Sequence, residues 1–254
     1  MSFFEGKVCI VTGGGSGIGE VTAKRFASEG AIVVIADLNE DGAQRVVHEI
    51  IRHNGSAVAI QTDVSDDIAV QALVTDVGRQ FGQIDVLFNN AATILPKPLE
   101  EVSEHEWTRV IDINLKSVYL MIKYTIPYLR TTHGSIVNMA SLNGLIGQKQ
   151  NAVYAATKGA IIAMTKALAI DYAPDKVRVN CICPAGVMTP LLEKWTMEQA
   201  DPEQVRASLN EMHALGRPAR AEEIADAVVF LASESSQFIT GVALPVDGGA
   251  SLGY

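Results

Sequence analysis

Short apolar runs alternate with amphipathic segments along almost the whole chain. Most apolar runs are continuous, which is typical of strands buried on both faces. We predict strands at residues 7–12, 31–36, 57–61, 84–88, 134–140, 177–183 and 242–246. The intervening segments repeat their apolar positions at the helical period of about 3.6 residues. We predict helices at residues 18–28, 40–53, 66–81, 104–129, 153–172 and 221–233.

Strand–helix alternation of this kind predicts an α/β fold. We expect a doubly wound parallel sheet of seven strands with helices on both faces. Glycine follows two of the helices, at Gly30 and Gly82, and residues 103–106 fit a capping box at a helix start. We find no linker or repeat, so residues 1–254 are predicted to form a single domain. The irregular stretch 187–215, which contains Pro190 and Pro202, is expected to form a partly helical substrate lid.

Composition narrows the class of protein. The 254 residues are 48% hydrophobic and 19% charged, which excludes intrinsic disorder. The net charge of −9 comes without a basic stripe, so neither nucleic acid nor an anionic membrane is expected as a partner. No apolar run approaches the length of a membrane span, and no signal-peptide core is found at the start. Three cysteines without framework spacing, Cys9, Cys181 and Cys183, predict reduced buried thiols and a cytoplasmic location. The five histidines lack metal-ligand spacing, so no metal is expected.

A glycine-rich turn follows the first predicted strand and precedes a helix. Glycine lets the backbone approach a pyrophosphate, while the helix start supplies free N–H groups. The spacing differs from G-x-G-x-x-G, and a flexible βα turn is the alternative interpretation. The cofactor-binding candidates here are Gly13, Ser16, Gly17, Ile18 and Gly19.

Two acids follow the next two strands. Asp37 is placed to accept hydrogen bonds from the adenosine ribose and to repel a 2′-phosphate. No basic residue stands at 13–19, 38 or 39 to offset that charge, so the cofactor is predicted to be NAD rather than NADP. Asp37 could instead cap the following helix. Asp63 could contact the adenine amino group or cap the helix near Asp66.

Several motifs together resemble the classical short-chain dehydrogenase/reductase family over essentially the whole chain. They are Thr12-Gly13-x-x-x-Gly17-x-Gly19, Asn89-Asn90-Ala91, Asn114, Ser141, Tyr154-Ala155-Ala156-Thr157-Lys158 and Val246-Asp247-Gly248-Gly249. The resemblance implies a Rossmann fold and a nicotinamide cofactor. It also implies cofactor contacts from Asp63, Val64, Asn90, Tyr154, Lys158, Val187 and Thr189. Ala92 and Ala185 replace family glycines, and slight crowding is expected there.

Tyr154 and Lys158 lie four residues apart and so share one helix face. An ammonium and the positive nicotinamide ring would lower the pKa of the phenol, which is ordinarily about 10. The resemblance implies that Tyr154 is the base, that Lys158 also holds the ribose, and that Ser141 orients the substrate oxygen. Asn114 would support a water-linked proton relay. Taken alone, Ser141 would be a turn residue and Asn114 a polar helix residue.

The substrate is less closely defined. Residues 141–148, 189–192 and 249–254 resemble a subgroup containing L-fucose dehydrogenases and a related hydroxysteroid dehydrogenase. Asn143 and Gln148 could bind sugar hydroxyls or face solvent, and Trp195 could stack on substrate or anchor the lid. We expect an NAD-dependent dehydrogenase of a secondary alcohol, either a sugar or a cyclic alcohol. The alternatives are a 3-oxoacyl-carrier-protein reductase-like enzyme and a non-catalytic dinucleotide-sensing regulator.

Assembly is suggested by two unusually apolar helices. The patterns at 104–129 and 153–172 carry more apolar residues than one sheet-facing stripe needs. Members of the resembled family pair these helices between subunits and use a second interface at the last helix and strand. Two different two-fold interfaces generate D₂ symmetry, so a homotetramer is expected. Tyr254 could reach a neighbour's substrate pocket, or the tail could dock on its own subunit.

Overall fold

A parallel sheet forms the centre of the computed structural model, which describes residues 3–252 except for the side chains of Leu191 and Trp195. The strands are β1 (Val8–Thr12), β2 (Ile32–Asp37), β3 (Ser56–Gln61), β4 (Val86–Asn89), β5 (Ser135–Met139), β6 (Arg178–Pro184), β7 (Val187–Met188), β8 (Ala219–Arg220) and β9 (Ala243–Val246). Seven of them pair in the order β3-β2-β1-β4-β5-β6-β9, every pair parallel. The predicted doubly wound Rossmann fold is confirmed. Strands β2 and β3 are added on one side of β1 and strands β4 onwards on the other, and such sheets bind their ligands at the carboxyl ends of the strands where this order switches.

Helices cover both faces of this sheet. They are α1 (Gly17–Ser28), α2 (Glu40–Arg52), α3 (Asp67–Phe81), α4 (Glu104–Ile111), α5 (Ser117–Thr132), α6 (Ala152–Tyr172), α7 (Pro190–Met197), α8 (Pro202–Glu211) and α9 (Ala221–Ala232). One apolar core joins the sheet to α1, α2 and α9, and a second joins it to α3, α5 and α6. In β1, Cys9 and Val11 enter the first core, while Val8 and Ile10 enter the second. Because both faces are buried, the strand is apolar at every one of these positions.

One predicted helix is interrupted. Residues 104–129 were expected to form a single helix, but a π-helical turn at Asp112–Lys116 separates α4 from α5. A π turn adds a residue to the helical repeat, and such turns are frequent at functional sites. Here the turn carries the buried Asn114. Because the turn adds only one residue to an otherwise helical segment, the periodicity of the sequence does not reveal it.

Two helix ends follow the local signals found in the sequence. Ser103 accepts a hydrogen bond from the Glu106 N–H and the Glu106 carboxylate accepts one from the Ser103 N–H, which completes the predicted capping box. Gly82 ends α3 in the left-handed conformation, with φ of 73°. The three cysteines are free thiols and are buried.

The excursion from residue 187 to residue 215 is partly helical, as predicted. It contains β7, α7 and α8 and returns to β8, which pairs with β7 in a second, two-stranded sheet. This small sheet was not predicted, because two-residue strands are too short to show a period. The excursion leaves the main sheet at the carboxyl end of β6, beside the glycine-rich turn.

Helix α6 is the longest helix of the described residues and is largely apolar. Within residues 3–252, the segment Ala152–Asp175 is long enough and, at a mean hydropathy of 1.3, apolar enough to cross a bilayer by composition alone. In this structure its inner side, including Val153, Lys158 and Ile161, is buried against the sheet. Its outer side exposes Ala156, Ala163, Ala167 and Ile170. The helix is therefore a core helix that leaves one apolar face uncovered in the single chain.

Candidate active site

The glycine-rich turn folds more tightly than any other residue type would allow. Gly13 and Gly17 have φ of 63° and 55°, a region that L side chains rarely adopt. A Cβ on Gly19 would lie 2.0 Å from the Gly13 carbonyl oxygen. These constraints place the first turn of α1 directly against the end of β1.

Asn90 and Thr12 fasten this turn to the end of β4. The Asn90 side-chain amide donates to the carbonyl oxygens of Thr12 and Gly13, at 3.0 Å each. The Thr12 hydroxyl accepts from the backbone N–H groups of Asn90 and Ala91, at 2.9 and 3.1 Å. Asn90 thus supports the turn from behind. The sequence named Thr12 only as the first residue of the glycine-rich motif and not as a separate contributor, because a threonine ending a strand has no distinctive pattern of its own.

The start of α1 fits an anionic group. Ser16 is the N-cap residue, but its exposed hydroxyl makes no capping hydrogen bond. The first N–H groups of a helix lack intrahelical partners and carry positive potential. A Cβ on Gly17 would lie 3.8 Å from Cγ2 of Thr189, so the start of the excursion lies beside the same turn. The predicted residues Ser16, Gly17, Ile18 and Thr189 therefore surround one place that a pyrophosphate could occupy.

Asp37 lies beside the turn and is not a helix cap. Its Oδ2 accepts from the Gly15 N–H at 2.8 Å, and its Oδ1 accepts from the Asn39 N–H at 2.9 Å. The cap of α2 is Asn39, whose side chain accepts from the Gly42 N–H. The alternative interpretation of Asp37 as a cap is therefore wrong. The carboxylate sits at the end of β2, where the adenosine ribose is expected.

A basic side chain that the sequence did not predict stands near this carboxylate. Arg45 of α2 donates to the Gly15 carbonyl oxygen at 3.1 Å. Its guanidinium also pairs with Glu20 and Glu49, and Lys24 pairs with the same two acids. The burial of Glu20 raises its pKa, but its bonds to Arg45 and Lys24 outweigh that effect and lower the pKa. The positive charge of Arg45 is thus already matched by carboxylates.

The helix-cap alternative also fails for Asp63. The cap of α3 is Asp66, which accepts from the Ile68 N–H. Asp63 is exposed, and its Oδ1 accepts from the N–H and the hydroxyl of Ser65. The neighbouring Val64 is buried. The Asp63 side chain therefore remains at the sheet edge, on the adenosine side of the turn.

Ser141, Tyr154 and Lys158 come together between β5 and α6. Ser141 begins the short 3₁₀ turn Leu142–Gly144, and its hydroxyl hydrogen-bonds the Tyr154 oxygen. A Cβ on Gly144 would lie 2.8 Å from the backbone of Lys158, so this turn packs directly on α6. Ser141 also accepts from the Asn143 N–H at 3.1 Å, which orients its hydroxyl.

Burial shifts the pKa values of Tyr154 and Lys158 in opposite directions. Burial raises the pKa of Tyr154, and the bond from Ser141 opposes that shift only in part. The Lys158 ammonium donates to the Met139 carbonyl oxygen at 2.6 Å and lies 5.5 Å from the centre of the Tyr154 ring. Burial lowers the pKa of Lys158 to about 8. In the protein alone the pKa of the phenol is therefore raised, because desolvation exceeds the favourable interactions. The lowering expected from the ammonium together with the positive nicotinamide ring stays a prediction.

Asn114 lies behind this group and is held by a nearby loop. Its Oδ1 accepts from the Thr93 N–H at 2.8 Å, and its Nδ2 donates to the Thr93 carbonyl oxygen at 2.9 Å. Nδ2 also lies 3.3 Å from the hydroxyl of Thr157, which donates to the Tyr154 carbonyl oxygen. The side-chain amide of Asn114 therefore connects the loop after β4 to α6. Thr157 was missed as a separate contributor, since it appeared only as a member of the Tyr154–Lys158 motif.

Comparisons with known proteins agree with this geometry. The family model described as enoyl-(acyl carrier protein) reductase matches residues 13–251. The meso-2,3-butanediol dehydrogenase of Serratia marcescens is 41% identical, over 98% of this chain and 96% of its own length. The L-fucose dehydrogenase of Mus musculus is 42% identical, over 99% of this chain and 90% of its own. The crystal structure of levodione reductase superposes with a TM-score of 0.94 at 31% identity, over 99% of this chain and 100% of the other.

The chain belongs to the classical short-chain dehydrogenase/reductase family. The resemblance to its L-fucose dehydrogenase-like subgroup is also confirmed. As a short-chain dehydrogenase/reductase the chain is an oxidoreductase that acts on CH–OH groups of small molecules, and the family uses nicotinamide cofactors. The description of the family model names a different reaction from those of the relatives, so it supports the family and not one activity.

Two alanines distinguish this short-chain dehydrogenase/reductase from the family pattern. Within residues 3–252, left-handed backbone at non-glycine positions occurs at Asn54, His133, Gln150 and Lys176. Ala92 and Ala185 are not among them, and Ala92 is exposed. The backbone at both alanines is therefore free of left-handed strain. The slight crowding expected there stays a prediction.

The substrate candidates are only partly described. The Asn143 side-chain amide donates to the Gln148 side-chain oxygen, so the loop after β5 brings these two residues together. Val187 is buried at the start of the excursion. The side chain of Trp195 and the whole of Tyr254 lie outside the described residues. Of the predicted substrate contacts, the structure thus describes one amide pair, exposed near Ser141.

The Gly19 contact leads to a test of the nucleotide turn. In the Gly19→Ala variant the new Cβ would collide with the Gly13 carbonyl and with the Asn90 amide. Overpacking of this kind costs about 1–3 kcal/mol when it is kept, so the turn shifts to relieve it and no longer fits the pyrophosphate. We therefore expect NADH affinity to fall by about tenfold or more. Fluorescence titration with NADH measures this. Gly147→Ala is the control, since its Cβ would enter open space. Equal affinity in the two variants would contradict a cofactor role for the turn.

Proposed function

We propose that the chain is an NAD-dependent dehydrogenase that oxidises a secondary alcohol, either a sugar or a cyclic alcohol. The observation that carries this proposal is the buried Ser141–Tyr154–Lys158 group beside a glycine-rich turn held by the Asp37 carboxylate. The bound cofactor supplies the acceptor for the hydride that leaves the alcohol carbon. Gly13, Ser16, Gly17, Ile18 and Gly19 would hold its pyrophosphate, and Asp37 its adenosine ribose.

The proton chemistry belongs to the residues of α6 and β5. Tyr154 takes the proton of the substrate hydroxyl, which Ser141 orients through its own hydroxyl. Because burial raises the pKa of Tyr154, the phenol needs positive charge nearby to act as a base. Lys158, with a pKa of about 8, is largely protonated at pH 7 and provides part of that charge. Asn114 keeps the loop at Thr93 against α6, behind the tyrosine.

The substrate class is supported by the relatives and by one loop. The relatives include dehydrogenases named for butanediol, L-fucose and a dichlorocyclohexadiene diol, compounds with more than one hydroxyl. The adjacent amides of Asn143 and Gln148 offer donors and acceptors for a second hydroxyl. A 3-oxoacyl-carrier-protein reductase-like activity, which as a rule uses NADPH, is disfavoured by Asp37. A non-catalytic sensor would not need the Ser141–Tyr154 pair, and an alcohol panel monitored by NADH absorbance separates it from an enzyme.

Cofactor preference tests the role of Asp37. Asp37→Asn keeps an oxygen facing the Gly15 N–H but removes the charge that repels a 2′-phosphate. A hydrogen bond to a charged group contributes about 1.5–3 kcal/mol. We therefore expect the ratio of kcat/KM with NAD to kcat/KM with NADP to fall by about tenfold or more. Asp41→Asn, an exposed change of the same kind in the first turn of α2, is the control. Equal use of both cofactors by the native protein would refute NAD specificity.

Removing the phenolic oxygen of Tyr154 tests its role as the general base. Tyr154→Phe should lower kcat by at least about 100-fold, the usual contribution of general acid–base catalysis, and leave NADH affinity nearly unchanged. Because the phenol must lose its proton, native kcat/KM for alcohol oxidation should rise with pH. Tyr172→Phe, a change near the far end of α6, is the control. Activity of Tyr154→Phe above about a tenth of the native value would exclude the base role.

We also propose a cytoplasmic homotetramer. The outer face of α6, with Ala156, Ala163, Ala167 and Ile170, is apolar yet exposed in the single chain. Beyond α9, Phe238 is fully exposed, which supports a second apolar interface. The buried free cysteines are compatible with a reducing compartment.

Light scattering tests the assembly. At micromolar concentration it should give four times the 27.2 kDa chain mass, and Ala163→Glu should lower the measured mass. A monomeric native protein would refute the assembly.

A further inference from the structure

His213 is buried, unlike the other four histidines, and both of its ring nitrogens are used. Only 3% of its surface is exposed. Nδ1 lies 2.7 Å from the Leu209 carbonyl oxygen, which can only accept, so Nδ1 carries the hydrogen. Nε2 accepts from the Gly186 N–H at 3.2 Å. The hydrogen bonds therefore specify one orientation and one tautomer of the ring.

These two bonds join the two ends of the excursion. Leu209 belongs to α8, near the end of the excursion, while Gly186 directly precedes β7, where it begins. Gly186 is also held from its other side, since its carbonyl oxygen accepts from the Ala219 N–H at 2.9 Å. The His213 side chain thus links α8 to the residue that precedes β7, and the backbone pairing of β7 with β8 joins the same base of the excursion.

The C-terminal segment meets the same ring. The ring Cδ2 lies 3.5 Å from where a Cβ on Gly248 would be. The Leu215 N–H donates to the Gly248 carbonyl oxygen at 3.0 Å. Asp247, just before it, is held by the N–H groups of Gly249 and Ser251. His213 therefore lies where α8, the start of the excursion and the end of the chain converge.

We propose that His213 is a positioning residue that keeps the excursion closed over the substrate side of the active site. Its acceptor nitrogen holds the Gly186 backbone, and Val187 and Thr189 follow within three residues. Thr189 in turn lies beside Gly17 of the nucleotide turn. The role rests on the proposed dehydrogenase function, but the closure itself is a property of the chain that can be measured without turnover.

Two substitutions distinguish the hydrogen bond made by Nε2 from the one made by Nδ1. In His213→Gln the side-chain oxygen reaches the place of Nε2 and can still accept from Gly186. In His213→Asn the amide can replace Nδ1 toward Leu209, but the Gly186 N–H loses its acceptor. Both variants lose the ring, so they share its packing cost and differ mainly in the Gly186 bond. His105→Asn, at an exposed position in α4, is the control.

The first measurement is hydrogen exchange, with and without NADH. We expect peptides covering residues 185–215 to exchange faster in His213→Asn than in His213→Gln, while peptides of β1 and α1 stay unchanged. The second measurement is steady-state kinetics. In His213→Asn the KM for the alcohol should rise about threefold to tenfold, the equivalent of one hydrogen bond. Its kcat should stay within about twofold of native, and His213→Gln should restore most of the KM.

Three results would overturn the proposal. They are equal exchange of residues 185–215 in the two variants, equal KM values in the two variants, and a loss of thermal stability in both with the KM unchanged. A failure of the dehydrogenase function would look different, since the native protein would then turn over no alcohol. The exchange experiment would still show whether His213 closes the excursion.

Discussion

The contact between the start of α1 and the end of β1 is the constraint on which the site depends. Gly19 approaches the Gly13 carbonyl oxygen more closely than any side chain permits, and Asn90 ties that oxygen to the end of β4. The order of strand addition switches sides between these two parallel strands, which is where a doubly wound sheet forms its binding crevice. Asn90 holds the carbonyl oxygens of Thr12 and Gly13, and α1, whose first N–H groups lack intrahelical partners, begins at the same turn.

On the other side of the crevice, burial disfavours the ionised forms of the two side chains that carry the chemistry. Tyr154 and Lys158 are placed on α6 against the sheet, where desolvation raises the pKa of the phenol and lowers that of the ammonium. Both shifts oppose the ionised forms that catalysis requires. The Ser141 hydroxyl and the Met139 carbonyl offset part of this cost. Ser141, Tyr154 and Lys158 thus already have their relative positions. A positive charge brought to the site would lower the pKa of the phenol.

Two buried polar side chains each hold a loop in place by hydrogen bonds to its backbone. Asn114 uses its amide on the Thr93 backbone, and His213 uses its ring on the Gly186 backbone. Each is a buried side chain that satisfies the main chain of a loop near the reaction centre. Such loops have few apolar contacts of their own, so a directed hydrogen bond fixes them where hydrophobic packing does not.

Much of the molecule follows from local rules. Continuous apolar runs specify strands buried on both faces, and the capping box at Ser103 and the glycine after α3 fix helix ends through neighbouring residues. The sequence by itself therefore determined the α/β class, the strand positions and the motif residues Ser141, Tyr154 and Lys158. The tertiary structure decided what depends on residues far apart in the chain. Examples are the π turn at Asn114, the approach of Arg45 to Gly15, and the burial of His213. It also decided that Asn39 and Asp66, rather than Asp37 and Asp63, cap their helices. The physical reason is that periodicity and turn stereochemistry act over a few residues, while desolvation and long-range hydrogen bonds exist only once the sheet has brought its edges together.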